Sequence, residues 1–276
     1  IKALNHSEYE ILSASRKIPK KKDRIKNIKY ISLDISKKRQ LKKIKNKIEY
    51  VINLGGNIDH SNKIKTFNSH YIGCKNLVDH FIDKKLLLFI QIGSSLEYGK
   101  VKNPHTEDQK CKPNSYYGLS KYNASKYLLK KNIPNVILRL YQVYGSYQKK
   151  NRLISSAIDA FLKGKCFKST SGKQYRDFLH ISDLTSLIKK ILKKKKINHG
   201  IYNVGSGQKM QVSKILKITK SLIRNGELEL GRLRMRKDEM IYNYPKITKV
   251  EKEFKWKSKI SIKNGLIKTI KYYESI

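Results

Sequence analysis

In the stretch SYYGLSK, residues 115–121, Tyr117 and Lys121 stand four residues apart. On a helix that spacing stacks the two side chains one turn above the other on the same face. A tyrosine hydroxyl titrates near ~10, so alone it is a poor acid/base group at neutral pH. An ammonium group one turn on stabilises the phenolate and can also hold a ribose hydroxyl. Ser94 or Ser95, in GSSLEYG at the end of an apolar run, offers a second hydroxyl to orient a substrate oxygen. Together they would exchange a proton with an alcohol or carbonyl oxygen. The pair alone is a weak signal, because the chain has 18 tyrosines and many lysines.

The elements that must position these groups are legible as alternating patterns. Apolar runs at YEILSAS (9–15), IKYISLD (28–34), YVINLG (50–55), LLLFIQIGS (86–94) and NVILRLY (135–141) predict strands. Amphipathic stretches at 70–83 and 116–130 predict helices between them. Continuous apolar strands with helical crossovers imply a parallel sheet covered on both faces. Ligands of such sheets sit at the carboxyl ends of strands, where GSS and YQVYG fall. The last third is less regular, with helical spacing at Val212, Ile215, Leu216, Thr219, Leu222 and Ile223, and again at Ile262, Leu266 and Ile270. A parallel nucleotide-binding sheet opens with a strand, a glycine-rich turn and a helix. Here no glycine precedes Gly55, and IKALNHSEYEIL reads as the tail of that helix entering the second strand. The expectation is a sequence short of its N-terminus by about one strand and one turn, which leaves a central slot with two unpaired edges.

The 62 basic and 21 acidic residues give a formal charge of +41, which invites a nucleic-acid reading. Only ten of the basic residues are arginine, the better reader of phosphates and base edges, and the lysines are spread from end to end. Solvated surface lysines are the better account, and no nucleic-acid partner is expected. No apolar run approaches the ~20 residues of a membrane-spanning helix, so no membrane partner is expected either. Cys74, Cys111 and Cys166 are odd in number and widely spaced, which points to a reducing compartment, the cytoplasm, and to no structural metal.

The order of motifs is more specific than any one of them. VINLGG, GCKNL, GSSLEYG, PNSYYGLSKYNASKYLL, LRLYQVYG, GKQYRDFLHISDL, GIYNVGSG and the closing ITKVEKEFKWKSKISIKNGLIKTIKYY follow one another along essentially the whole chain. In this the sequence resembles the extended short-chain dehydrogenase/reductase family, the NAD-dependent epimerases and dehydratases of nucleotide sugars. The resemblance implies an α/β fold: a Rossmann-type doubly wound parallel sheet, lacking its first strand and glycine-rich loop, with a small C-terminal substrate lobe. Residues 1–148 would form the dinucleotide-binding domain and 149–276 mostly the substrate lobe, with 176–206 returning to the sheet. It further implies Tyr117 as general acid/base, Lys121 as its cationic and ribose-binding partner, and Ser94 as the hydroxyl on the reacting oxygen. Asp34 and Ile35 would contact the adenine; Leu54, Gly55 and Gly56 would line the dinucleotide; Tyr141 and Val143 would flank the nicotinamide. Ser95, Gln142, Arg176 and Arg236 would meet the substrate, the two arginines as a diphosphate clamp, with Arg236 in an Arg-x-x-acid pattern with Glu239. The bland alternative for Arg176 is a surface ion pair with Asp177.

Departures from the family pattern inform the reaction. Dehydratases carry an acidic pair after the catalytic hydroxyl; here those positions are Ser95 and Leu96. Where the second strand usually offers an acid to the ribose, this chain has Ser15 and Arg16, which favours a 2′-phosphate and hence NADP over NAD. The expectation is a reductase of a 4-keto-6-deoxy nucleotide-diphosphate sugar, working as a homodimer. The alternatives are a nucleotide-sugar 4-epimerase with bound NAD and, more distantly, a basic nucleic-acid binder or a non-catalytic relative. His70 stands where the family has asparagine, and a helix-start residue bonding nearby backbone is the simplest reading of it.

Overall fold

The computed structural model describes residues 4, 9–57, 61–236 and 239–276. The helix tail expected at residues 1–8 lies outside the described residues, apart from Leu4 and the sequence-adjacent Tyr9 onward. In chain order the elements are β1 (Ile11–Ser15), β2 (Ile28–Ser32), β3 (Tyr50–Asn53), α1 (Lys63–Phe67), α2 (Gly73–Phe81), β4 (Leu88–Ser94), α3 (Tyr116–Leu129) and β5 (Asn135–Leu140). There follow β6 (Gln142–Tyr144), α4 (Leu153–Leu162), β7 (Cys166–Lys168), β8 (Tyr175–His180), α5 (Ile181–Lys193), β9 (Gly200–Val204) and β10 (Lys209–Gln211). The chain closes with α6 (Val212–Ile223), β11 (Glu227–Glu229), β12 (Tyr242–Asn243), α7 (Thr248–Phe254) and α8 (Ile262–Glu274). No helix among the described residues is long and apolar enough to cross a membrane.

Two compact units divide the chain. The first holds 1–99, 110–139 and 198–202; the second holds 100–109, 140–197 and 203–276. The second unit takes up the chain again at 140. The reason is that β6 pairs with β8, which itself joins β10 and β12. Of the 176–206 segment, only 198–202 belongs to the first unit.

In the first unit β1 pairs with β2 and β3 with β4 in parallel, as the continuous apolar runs lead one to expect. The order β3–β4–β5–β9 forms one sheet, and β1–β2 forms another. Among the described residues β1 pairs with β2 alone, so the single sheet expected from the sequence is described as two, β1–β2 and β3–β4–β5–β9. The core gathers Cys74, Leu77, Val78 and Phe81 of α2 with Ala124 and Leu128 of α3, over Phe89 of β4 and Ile137 of β5. The helical residues recur at three- and four-residue intervals, which is why one face of each helix is buried. Each of the Leu, Val, Ile and Phe side chains contributes roughly 1.5–3 kcal/mol by leaving water. The two helices are also tied by Tyr127, whose hydroxyl donates to Asp79, itself paired with Lys75 at 2.8 Å.

The second unit has its own apolar cluster, with Ile154, Ile158 and Phe161 of α4, Ile215 and Leu216 of α6, and Leu266 and Ile270 of α8 around Phe178. Asp177 is buried and accepts from the amides of Ser206 and Gly207 at 2.6 and 2.8 Å. Burial raises its carboxyl pKa to about 6 against the lowering effect of those bonds.

Candidate active site

β4 ends at Ser94, where the chain turns into a short 3₁₀ segment, Ser95–Glu97. The turn is held by a capping box: Ser94 Oγ accepts from the Leu96 amide at 3.2 Å, and Glu97 Oε1 accepts from the Ser94 amide at 2.9 Å. Glu97 is wholly buried, and its other oxygen accepts from Arg139 Nε at 2.9 Å and from Ser125 Oγ at 2.9 Å. Arg139, at 2% exposure, also lies 4.4 Å from the centre of the Tyr98 ring. Although desolvation works against its charge, the Glu97 carboxylate and neighbouring groups hold its pKa above the ordinary arginine value. This buried pair fixes the backbone beneath Ser94 and Ser95, both nearly inaccessible.

α3 starts against that turn. Ser115 caps it by accepting from the Gly118 amide at 3.1 Å. A Cβ on Gly118 would meet the Leu96 carbonyl oxygen at 2.3 Å, so only glycine permits this approach. Tyr117 is half-buried, and Lys121 Nζ lies 6.0 Å from its ring centre, on the same side. Lys121 is almost fully buried and donates to the Ile92 carbonyl at 2.7 Å. Burial pushes its pKa down from 10.5 to about 8, with Glu97 and Cys74 opposing the shift.

A polar chain connects this ammonium to the end of β3. The register of β3 against β4 sets Asn53 beside Gln91, and Asn53 Nδ2 donates to Gln91 Oε1 at 2.8 Å. Gln91 Nε2 donates to the same Ile92 carbonyl that Lys121 holds, and Asn53 Oδ1 accepts from the Gly55 amide at 3.0 Å. Leu54 is 68% exposed at this strand end, beside the bare backbone of Gly55 and Gly56. Ile35 packs where a Cβ on Gly55 would be, 2.5 Å away. Asp34 Oδ1 accepts from the Ser36 amide, and the Asp34 amide donates to Gln40 Oε1. Ser15 and Arg16 are exposed at the end of β1, with Ser15 Oγ donating to the Lys17 carbonyl. These residues fit a dinucleotide: a buried ammonium at one strand end, a glycine turn with no side chains of its own at another, and an exposed cation at a third.

The remaining expected site residues belong to the second unit. Tyr141 is buried, with its hydroxyl 3.0 Å from His105 Nδ1; Val143 is half-buried and Gln142 exposed. Arg176 is not paired with Asp177, which is committed to the 206–207 amides. Its guanidinium instead donates to Glu239 and to the Tyr175 carbonyl at 2.7 Å. Glu239 thus meets Arg176 rather than the nearby Arg236, which is exposed. At the β7–β11 edge, Cys166, Glu227 and Glu229 bring their ligand atoms within 4.8 Å of one another, a surface grouping that sequence spacing does not reveal.

The sequence profile of the NAD dependent epimerase/dehydratase family matches residues 1–205, and the chain belongs to that family. It is 30% identical over 199 residues to ADP-L-glycero-D-manno-heptose-6-epimerase of Brachyspira hyodysenteriae, covering 67% of this chain and 62% of that protein. It is 28% identical over 224 residues to dTDP-D-glucose 4,6-dehydratase of Bos taurus, covering 76% of this chain and 63% of that one. The chain thus spans less than two thirds of the length of these curated relatives. Among solved structures it is similar to UDP-glucuronic acid 4-epimerase from Bacillus cereus in complex with UDP-glucuronic acid and NAD. The TM-score is 0.87 at 21% identity, covering 99% of this chain and 94% of that one, and the fold is the same Rossmann-like α/β fold.

Burying Lys121 has a stability consequence that can be measured. Its folded pKa lies below the 10.5 of the unfolded chain. Between about 8 and 10.5 the unfolded state therefore binds more protons, and stability rises with pH through that window. Lys121→Met should raise stability at pH 7 by about 1–3 kcal/mol, the relief of desolvation less roughly 1 kcal/mol for the lost bond to Ile92. Chemical denaturation at pH 7 and pH 10 checks this: the advantage should shrink at the higher pH.

Proposed function

We propose that the protein is an NAD(P)-dependent nucleotide-sugar oxidoreductase that reduces a 4-keto-6-deoxy nucleotide sugar, with NADP preferred. The observation that carries the reading is Lys121 Nζ lying 6.0 Å from the Tyr117 ring centre, beside the turn that bears Ser94. Lys121 makes the Tyr117 phenol a stronger acid by stabilising its anion. Tyr117 gives its proton to the oxygen of the sugar ketone, while Ser94 holds that oxygen by a hydrogen bond. A bound nicotinamide would supply the hydride. Holding the ketone in line with it contributes much of the acceleration.

Ser95 and Leu96 provide no acid/base pair for eliminating water, which favours reduction over dehydration. Arg176 and Arg236 are the candidate partners of the diphosphate, and a homodimer is the expected assembly. A 4-epimerase with retained NAD is the second reading; the 30% identity to a heptose 6-epimerase supports epimerase chemistry in general, not the 4-position. Purifying the full-length protein separates the two: retained NAD supports the epimerase, whereas cofactor-free protein that oxidises added NADPH with a keto-sugar supports the reductase. If neither nucleotide binds, both readings fail. Arg16 decides the coenzyme. Arg16→Ala should weaken NADPH binding about tenfold, the loss of one charge-assisted contact, and NADH binding less than about twofold.

A further inference from the structure

His70 is placed by a feature that helical periodicity does not announce. Between α1 and α2 the chain makes a π-turn, Asn68–Ile72, which widens the helix and carries buried His70. The ring stands edge-on to Tyr117, with centres 5.0 Å apart and planes at 80°. Its Nε2 lies 3.0 Å from the Asn57 carbonyl oxygen; since a carbonyl only accepts, Nε2 carries the proton. The neighbouring Ser69 Oγ accepts from the Asn57 amide at 2.9 Å, so the π-turn grips both sides of that residue. A Cβ on Gly56 would fall 1.9 Å from His70 Cε1: the imidazole occupies the space that this glycine leaves.

We propose that His70 is a positioning residue with two separable contacts: it braces the Gly55–Asn57 loop, on which a dinucleotide would sit, and it sets the ring of the Tyr117 phenol. The inference rests on the acid/base reading of Tyr117. One ring nitrogen fixes the loop through a hydrogen bond, and the ring as a whole sets that of Tyr117 through a T-shaped aromatic contact. An asparagine or serine there could make the first contact without the second.

Two substitutions separate the contacts. His70→Phe keeps an aromatic ring and loses the donor to Asn57; His70→Gln keeps a donor nitrogen and loses the ring. With the full-length protein, dinucleotide affinity is read from reduced-nicotinamide fluorescence and turnover from coenzyme oxidation with keto-sugar. His70→Phe should weaken dinucleotide binding about five- to tenfold and cost turnover less than threefold. His70→Gln should do the reverse, lowering kcat about tenfold with a smaller effect on binding. Parent-like affinity and turnover in both variants would overturn the assignment, as would equal losses of both quantities in both. A parent protein that binds neither NADH nor NADPH would instead remove the functional reading itself.

Discussion

Full-length Tyr117→Phe protein is expected to reduce keto-sugar about 10²–10⁴-fold more slowly than its parent, the usual contribution of a positioned proton donor. The substitution deletes one oxygen. The ring remains, and with it the edge contact to His70 and the packing beside Lys121. Dinucleotide binding should consequently change by less than about threefold, and the loss should fall on kcat, as it does for an interaction made only in the transition state. Stopped-flow coenzyme oxidation at saturating substrate measures the first quantity and fluorescence titration the second. Turnover equal to the parent's would exclude Tyr117 as the proton donor whatever its geometry.

The second large effect is on stability. Arg139→Leu should destabilise the protein by about 3–5 kcal/mol, because it strands the Glu97 carboxylate in the core without its cation. Glu97 has no exposed surface, so water cannot replace the guanidinium. The melting temperature should fall by on the order of 10 °C. Pairing Glu97→Gln with Arg139→Met removes both charges and keeps an oxygen for the Ser94 amide. That double variant should recover more than half of the loss, which thermal unfolding of the single and double variants would show. A single variant as stable as the parent would mean that the pair contributes little to the turn beneath Ser94.

The parts of this site that could be read from sequence are those governed by local periodicity. The four-residue spacing of Tyr117 and Lys121 places both on one face of α3, and the apolar runs locate β3, β4 and β5 to within two residues at either end. What escaped was decided over long separations. Glu97 and Arg139 are 42 residues apart, and Arg176 and Glu239 are 63 apart. A signal for the first existed in NVILRLY, where an arginine inside a buried strand demands a counter-charge. The Asn53–Gln91 bond needed the β3–β4 register, which no single strand specifies. His70 reads from sequence as a helix-start residue bonding nearby backbone; it lies instead in the π-turn after α1, and the backbone it meets is that of Asn57. Its contact with Tyr117 depends on a widened turn for which there is no sequence period.

The ammonium of Lys121 is held in the interior at the expense of the fold. A single A-to-T change converts either lysine codon into one for isoleucine or methionine, and both would be more comfortable in that setting. In a lineage no longer relying on this chemistry, drift would have an easy downhill step at position 121. A sequence so saturated with surface lysines has no shortage of positive charge, so on the acid/base reading of Tyr117 keeping one where water scarcely reaches it serves reactivity and not solubility.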